Sequence, residues 1–184
     1  MQFVLTTDAA DPGRRRALAE VAWRAFHELE SREIPEPELR RWLAESFADD
    51  PEWGGRRGRR AVDDFLKLVR ERTGLLIDAG GDRYQFAHLS LHEYLVARHV
   101  LERFGEEQAA RVLRHYLHAS QWEQALQLLV AGAPEARAEA LVRELDPSPG
   151  LSQAVRRLQD SYRQHQSDRR EHCESGQTSV LRLI

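Results

Sequence analysis

With 184 residues, of which 41% are hydrophobic and 31% charged, the chain is long enough for one mid-sized domain or two small ones and has apolar side chains enough for a core. A formal net charge of -3 excludes a generally basic nucleic-acid binder, and the single cysteine, Cys173, excludes a disulfide framework or a cysteine-based zinc site and favours a reducing compartment. No apolar run approaches the roughly 20 residues that span a bilayer, and the N-terminus lacks the basic-then-apolar order of a secretory signal, so a cytoplasmic protein away from membranes is expected.

In chain order, Asp11-Pro12 reads as a helix opening, with Asp as N-cap and Pro at the first helical position. Leu18, Val21, Ala22 and Ala25 then repeat at i, i+3, i+4, i+7. Glu33-Ile34, ahead of two prolines, reads as a short extended piece, and a second helix is predicted from about Glu38 to Phe47. The segment DDPEWGGRRGRR has loop composition. Val62, Phe65, Leu66 and Val69 mark a third helix, with Arg70 and Arg72 in its last turn and Gly74 where a C′ glycine belongs. LLID and RYQF flank a glycine turn, which predicts a β-hairpin. Helix, extended piece, helix, helix, hairpin is the element order of a winged helix.

Ser90-Leu91-His92-Glu93 spells a capping box, with Ser90 as N-cap and Glu93 reaching back to its N–H. The helix it opens is predicted from Leu91 to about Phe104, burying Tyr94, Ala97, Leu101 and Phe104. Apolar stripes follow at Val112, Leu113, Tyr116 and Leu117; at Trp122, Ala125, Leu126, Leu129 and Val130; at Ala140, Leu141 and Leu145; and at Leu151, Val155 and Leu158. The expected fold is therefore mainly α. It comprises a winged helix of three helices plus a β-hairpin over residues 1–104, tandem helical pairs forming a HEAT- or TPR-like arm over 105–160, and a mobile polar tail over 161–184.

His88 and His92 would share a helix face as a zinc pair only if both were helical, and the capping box puts His88 outside. A P-loop needs a glycine-rich turn with a lysine directly after it, and the one lysine, Lys67, lies mid-helix with no glycine near it on its N-terminal side. No catalytic constellation stands out. Arg56, Arg57, Arg59 and Arg60 form a basic cluster before the third helix, where DNA-binding winged helices read a groove, but acidic residues bracket it, so nucleic acid is not expected as a partner. His88 itself leaves two readings open: a neutral donor to an anion just ahead of a helix N-terminus, or a ring bonded to a nearby carbonyl.

RTGLL, a turn, and YQFAHLSLHEYLVARHVLE resemble the winged-helix end of NACHT-type STAND NTPases, the group that includes NLR immune receptors and bacterial antiphage relatives. The usual wording there is close to R-x-G-L-L, a short turn, then Y-x-F-x-H-x-S-F-Q-E-Y-x-A-A. Arg72, Gly74, Leu75, Leu76, Tyr84, Phe86, His88, Ser90, Glu93, Tyr94 and Ala97 match it, while Leu91, His92 and Val96 depart from it. SQWEQALQLLVAG, Ser120 to Gly132, is similar to the W-x-E-x-x-x-L-L-A-G stretch that follows, so the resemblance spans roughly Leu18 to Gly132. It implies a regulatory module rather than an enzyme, working beside an NTPase core that binds ADP or ATP, with homo-oligomerisation in the active state. It further implies that His88, supported by the cap at Ser90 and Glu93, contacts the β-phosphate of ADP in the closed state. Two other readings remain: a DNA-binding regulator using the Arg56–Arg60 loop, and a free-standing scaffold that binds protein through its helical arm.

Overall fold

The computed structural model describes residues 12–29, 31–48 and 58–143, together with residues 160, 163, 164 and 167. The expected N-cap Asp11, the helix around Leu151, Val155 and Leu158, and most of the polar tail lie outside these. Asp160, at the end of the expected arm, is helical and exposed, and so are Arg163, Gln164 and Ser167, where composition predicts a mobile tail; Arg163 lies 3.7 Å from Asp160 one turn away, a pairing that supports a polar helix. The chain forms two compact units that divide between Arg103 and Phe104.

In the first unit, helix α1 (Pro12–Arg24) opens on a proline whose fixed φ suits the first helical position, and it widens into a π-helical turn over Ala25–Leu29. Strand β1 (Glu33–Pro35) follows, then α2 (Glu36–Ala48), which begins two residues earlier than predicted. Glu36 and Glu38 in its first turn favour that start, because the helix dipole stabilises negative charge there. Helix α3 (Gly58–Lys67) also ends in a π-helical turn, Leu68–Thr73, stopped by Gly74 at φ 60. The left-handed conformation is open to glycine without a Cβ penalty, as the sequence predicts.

Strands β2 (Leu76–Asp78) and β3 (Arg83–Phe86) form the expected hairpin. Asp78 Oδ1 accepts from the Gly80 N–H at 2.7 Å, and Gly80, Gly81 and Asp82 all take positive φ to turn the chain. The extended piece at Glu33–Pro35 pairs antiparallel with β3, giving a three-stranded sheet of order β1-β3-β2 in which Ile34 stands opposite Tyr84 and Leu76 opposite Phe86. Ile34, Leu76, Tyr84 and Phe86 are buried, so one face of the sheet packs on the helices. Helix α4 (Leu89–Arg103) packs along α1, α1 also packs on α2, and α2 on α3. This is a winged helix with the hairpin as its wing.

In the second unit, α5 (Glu106–Tyr116) is followed by a 3-10 turn (Ser120–Trp122), α6 (Glu123–Gly132) and α7 (Glu135–Arg143). Both α5 and α6 pack on α7. The predicted stripe of α6 is buried throughout, and Tyr116 and Trp122 stack at 3.7 Å between ring centroids.

Candidate functional site

The head of α4 lies directly after β3, and the Ala87 N–H donates to the Leu75 carbonyl at 3.0 Å, fastening the junction to the hairpin. The His88 carbonyl accepts from the N–H groups of both Leu91 and His92, at 3.2 Å each. The helix therefore begins at Leu89, and His88 occupies the N-cap position with its side chain exposed. This corrects the predicted capping box. Ser90 is the second helical residue, not the cap, and is exposed; Glu93 falls two residues too far along the helix to reach back to the N-cap N–H. Glu93 is instead 7% exposed, its carboxyl pushed up by burial against an opposing pull from Arg32. Ser90→Ala is accordingly expected to move the thermal midpoint hardly at all, within about 0.5 kcal/mol of wild type, whereas loss of a true N-cap costs about 1 kcal/mol.

His92 is the residue whose role the sequence hides. It is 1% exposed, and its Nε2 lies 2.9 Å from the Ala22 carbonyl oxygen of α1. A carbonyl only accepts, so in the neutral ring Nε2 carries the proton and donates. The ring stacks on Phe86 of β3 at 4.5 Å and meets Phe26 edge-on at 5.0 Å. Burial in this apolar slot lowers its pKa from 6.5 to about 4, with the hydrogen bond to Ala22 opposing and Arg32 adding a small push in the same direction. Two turns on, His99 stacks on Trp23 at 5.8 Å, with His27 on Trp23 at 4.8 Å. Burial likewise takes His99 to about 4.

The buried face of α4 is therefore Leu91, His92, Leu95, Val96, His99 and Val100, and not the predicted stripe. Of that stripe only Ala97 is buried, with Tyr94, Leu101 and Phe104 half-buried. A polarity count assigns both histidines to solvent and so rotates the expected face. His88 and His92 are not brought together: one is exposed at the helix head and the other is bonded inside the core. Among the described residues no cluster of three His, Cys, Asp or Glu side chains stands close enough to hold a metal ion. No described helix is long and apolar enough to cross a membrane.

Of the arginine cluster, Arg56 and Arg57 lie outside the described residues. Arg59 and Arg60 fall within the first turn of α3 rather than in the loop before it, and Arg60 is exposed. A polar chain that no motif announces links α2, α3 and the wing. Asp63 of α3 accepts from Arg40 of α2 at 2.6 Å, and Arg40 donates to Glu36 at 2.6 Å. Glu36 in turn accepts from the Tyr84 hydroxyl at 3.1 Å, and that hydroxyl accepts from Arg70 at 3.2 Å. Chiefly through Arg40, this holds the Glu36 carboxyl below its ordinary range. The chain pins α2 and α3 to the wing.

The profile of the family described as the winged helix-turn-helix domain C-terminal to NACHT matches residues 2–100. The chain belongs to that family. The match runs from ahead of α1 almost to the end of α4, and so takes in β1, the wing and the helix head that carries His88 in this NACHT-associated winged helix. No curated protein and no solved structure matches the chain.

Proposed function

We propose that the chain is a regulatory module of a STAND-type NTPase, holding the ADP-bound, closed state through His88 and relaying nucleotide state to oligomerisation. Membership of the NACHT-associated winged-helix family carries this reading. The placing of His88 supports it: an exposed imidazole at the N-cap of a 15-residue helix stands where free backbone N–H groups and the dipole favour an anion. A phosphate oxygen of ADP, bound in the NTPase core, would accept one hydrogen bond from the ring. Nucleotide held by both core and winged helix stabilises only the arrangement in which they meet, which makes it a two-state lock. The module contributes recognition and no chemistry of its own, since hydrolysis needs the phosphate-binding lysine and metal site of the core.

In a protein that joins this chain to its NTPase core, His88→Ala is expected to cost folding no more than about 1 kcal/mol, the scale of a lost N-cap side chain, because no helical turn is lost. A hydrogen bond to a charged oxygen is worth about 1.5–3 kcal/mol. ADP should therefore leave the closed state roughly tenfold to hundredfold faster, and the oligomer fraction without a trigger should rise. The check is ADP off-rate and oligomer fraction for wild type and variant side by side; equal values in both overturn the reading.

A further inference from the structure

We infer that His92 is the positioning residue for His88: its buried ring ties the first turn of α4 to α1 and to the wing, and protonation of that ring releases the turn. The nucleotide half of this inference rests on the function proposed above; the anchoring half does not.

Three contacts carry the argument. The backbone N–H of His92 donates to the carbonyl of His88, so the two residues close the first turn between them. The ring of His92 donates through Nε2 to Ala22 at the end of α1, where the π-helical turn begins. The same ring lies flat on Phe86, which ends β3 two residues before His88. One side chain thus joins the three elements that meet at the helix head, and the exposed imidazole of His88 is held on the turn it closes. The slot also has no place for a cation. Ala22 and Phe26 from the α1 side and Phe86 from β3 bring no charge. Arg32, from the segment before β1, disfavours a second positive group, and Glu93, next in the chain, faces the same arginine. A protonated ring is therefore accommodated only when the turn opens to water, and local opening becomes easier as protons become available.

Backbone amide exchange on the 184-residue chain tests the anchor. Leu91 and His92 report the first turn; Val96 and Val100 report the body of α4. In wild type, opening of the first turn relative to the body, corrected for the intrinsic pH dependence of exchange, should grow about tenfold per pH unit between pH 6 and pH 4.5. His92→Gln keeps an amide donor for the Ala22 carbonyl but cannot titrate; it should retain protection at pH 7 and abolish the slope. His92→Leu should lose first-turn protection selectively by tenfold or more at pH 7. If the leucine variant does not fold, the glutamine comparison decides alone. The same pH slope in His92→Gln as in wild type overturns the anchor, and so does a wild-type first turn that never parts from the body of the helix.

ADP off-rate in the core-joined protein, over the same pH range, tests the consequence for the site. A rise in wild type that His92→Gln removes supports the whole inference. A pH-dependent first turn with an unchanged off-rate refutes the link between His92 and nucleotide while the anchor stands, and the off-rate of His88→Ala at pH 7 decides the phosphate contact separately.

Discussion

Taking the protein from pH 7 to pH 4.5 is expected to cost it about 5 kcal/mol of folding stability through two histidines alone. His92 and His99 are neutral in the folded chain down to about 4, whereas an unfolded chain protonates them near 6.5. Between those values the unfolded state binds more protons, so stability falls as pH falls through the window and is level above it. At pH 4.5 each ring accounts for roughly 2.5 kcal/mol by this linkage. Set against a typical domain stability of about 5–15 kcal/mol, that is enough to bring the winged helix to the edge of unfolding. Glu36, held below its ordinary range, acts in the same direction on acidification, and Glu93, raised by burial, acts against it. Urea midpoints from pH 7.5 to pH 4.5 for wild type, His92→Gln and His99→Gln provide the check. Each variant should lose about half of the acid slope; a wild-type midpoint that stays flat below pH 6.5 would show that the rings are not held neutral.

Trp122→Ala is expected to destabilise the second unit by about 3–5 kcal/mol, the range for deleting a fully buried aromatic side chain. Trp122 is 1% exposed and lies nearly parallel to Tyr116, and it introduces the buried run Ala125, Leu126, Leu129 and Val130 of α6. Among the described residues α5, α6 and α7 are helices of 11, 10 and 9 residues, and helices so short bring few side chains that can move to close the void left by an indole. Trp122→Phe, which keeps a ring against Tyr116, should cost clearly less. Denaturant melts of the three proteins decide, and a loss below about 1 kcal/mol for the alanine variant would mean that the stack is not part of the folded core.

Much of the first unit is legible in its sequence because its signals are local. Val62, Phe65, Leu66 and Val69 alternate at helical spacing and are all buried; Gly74 stands where the chain turns left-handed; the glycine pair at 80 and 81 closes the hairpin. Even β1 is foreshadowed, since the residue before Pro35, Ile34, is driven out of the helical region. What escapes the sequence depends on partners far away in the chain. Whether a histidine is core or surface is decided by an acceptor such as Ala22 and by rings such as Phe86 and Trp23, and no spacing on α4 encodes them. The cap is misread for a related reason: Ser-x-x-Glu is a good local signal, but the bond from Ala87 to Leu75 and the packing of His92 start the helix two residues earlier. The π-helical turns, and the run from Asp63 to Arg70 through Tyr84, have no sequence period at all. At the helix head, the exposed His88 is a proposal that its motif suggests, and the buried His92 is visible only in its contacts.

The pairing of β1 with β3 sets an order for folding. The hairpin of β2 and β3 is closed by a turn of a few residues, while Glu33 of β1 and Arg83 of β3, whose side chains form an ion pair, are 50 positions apart. Closing the short loop is fast and closing the long one carries the larger entropy cost, so the wing assembles early and β1 docks on it only after α2 and α3 have folded back. The Glu36 N–H then donates to the Asp82 carbonyl, so the strand and the start of α2 lock onto the finished turn together. A nascent chain leaving the ribosome up to α3 thus holds an unmatched strand whose partner has yet to be made, and the sheet is completed only once Phe86, the last strand residue before the head of α4, has emerged.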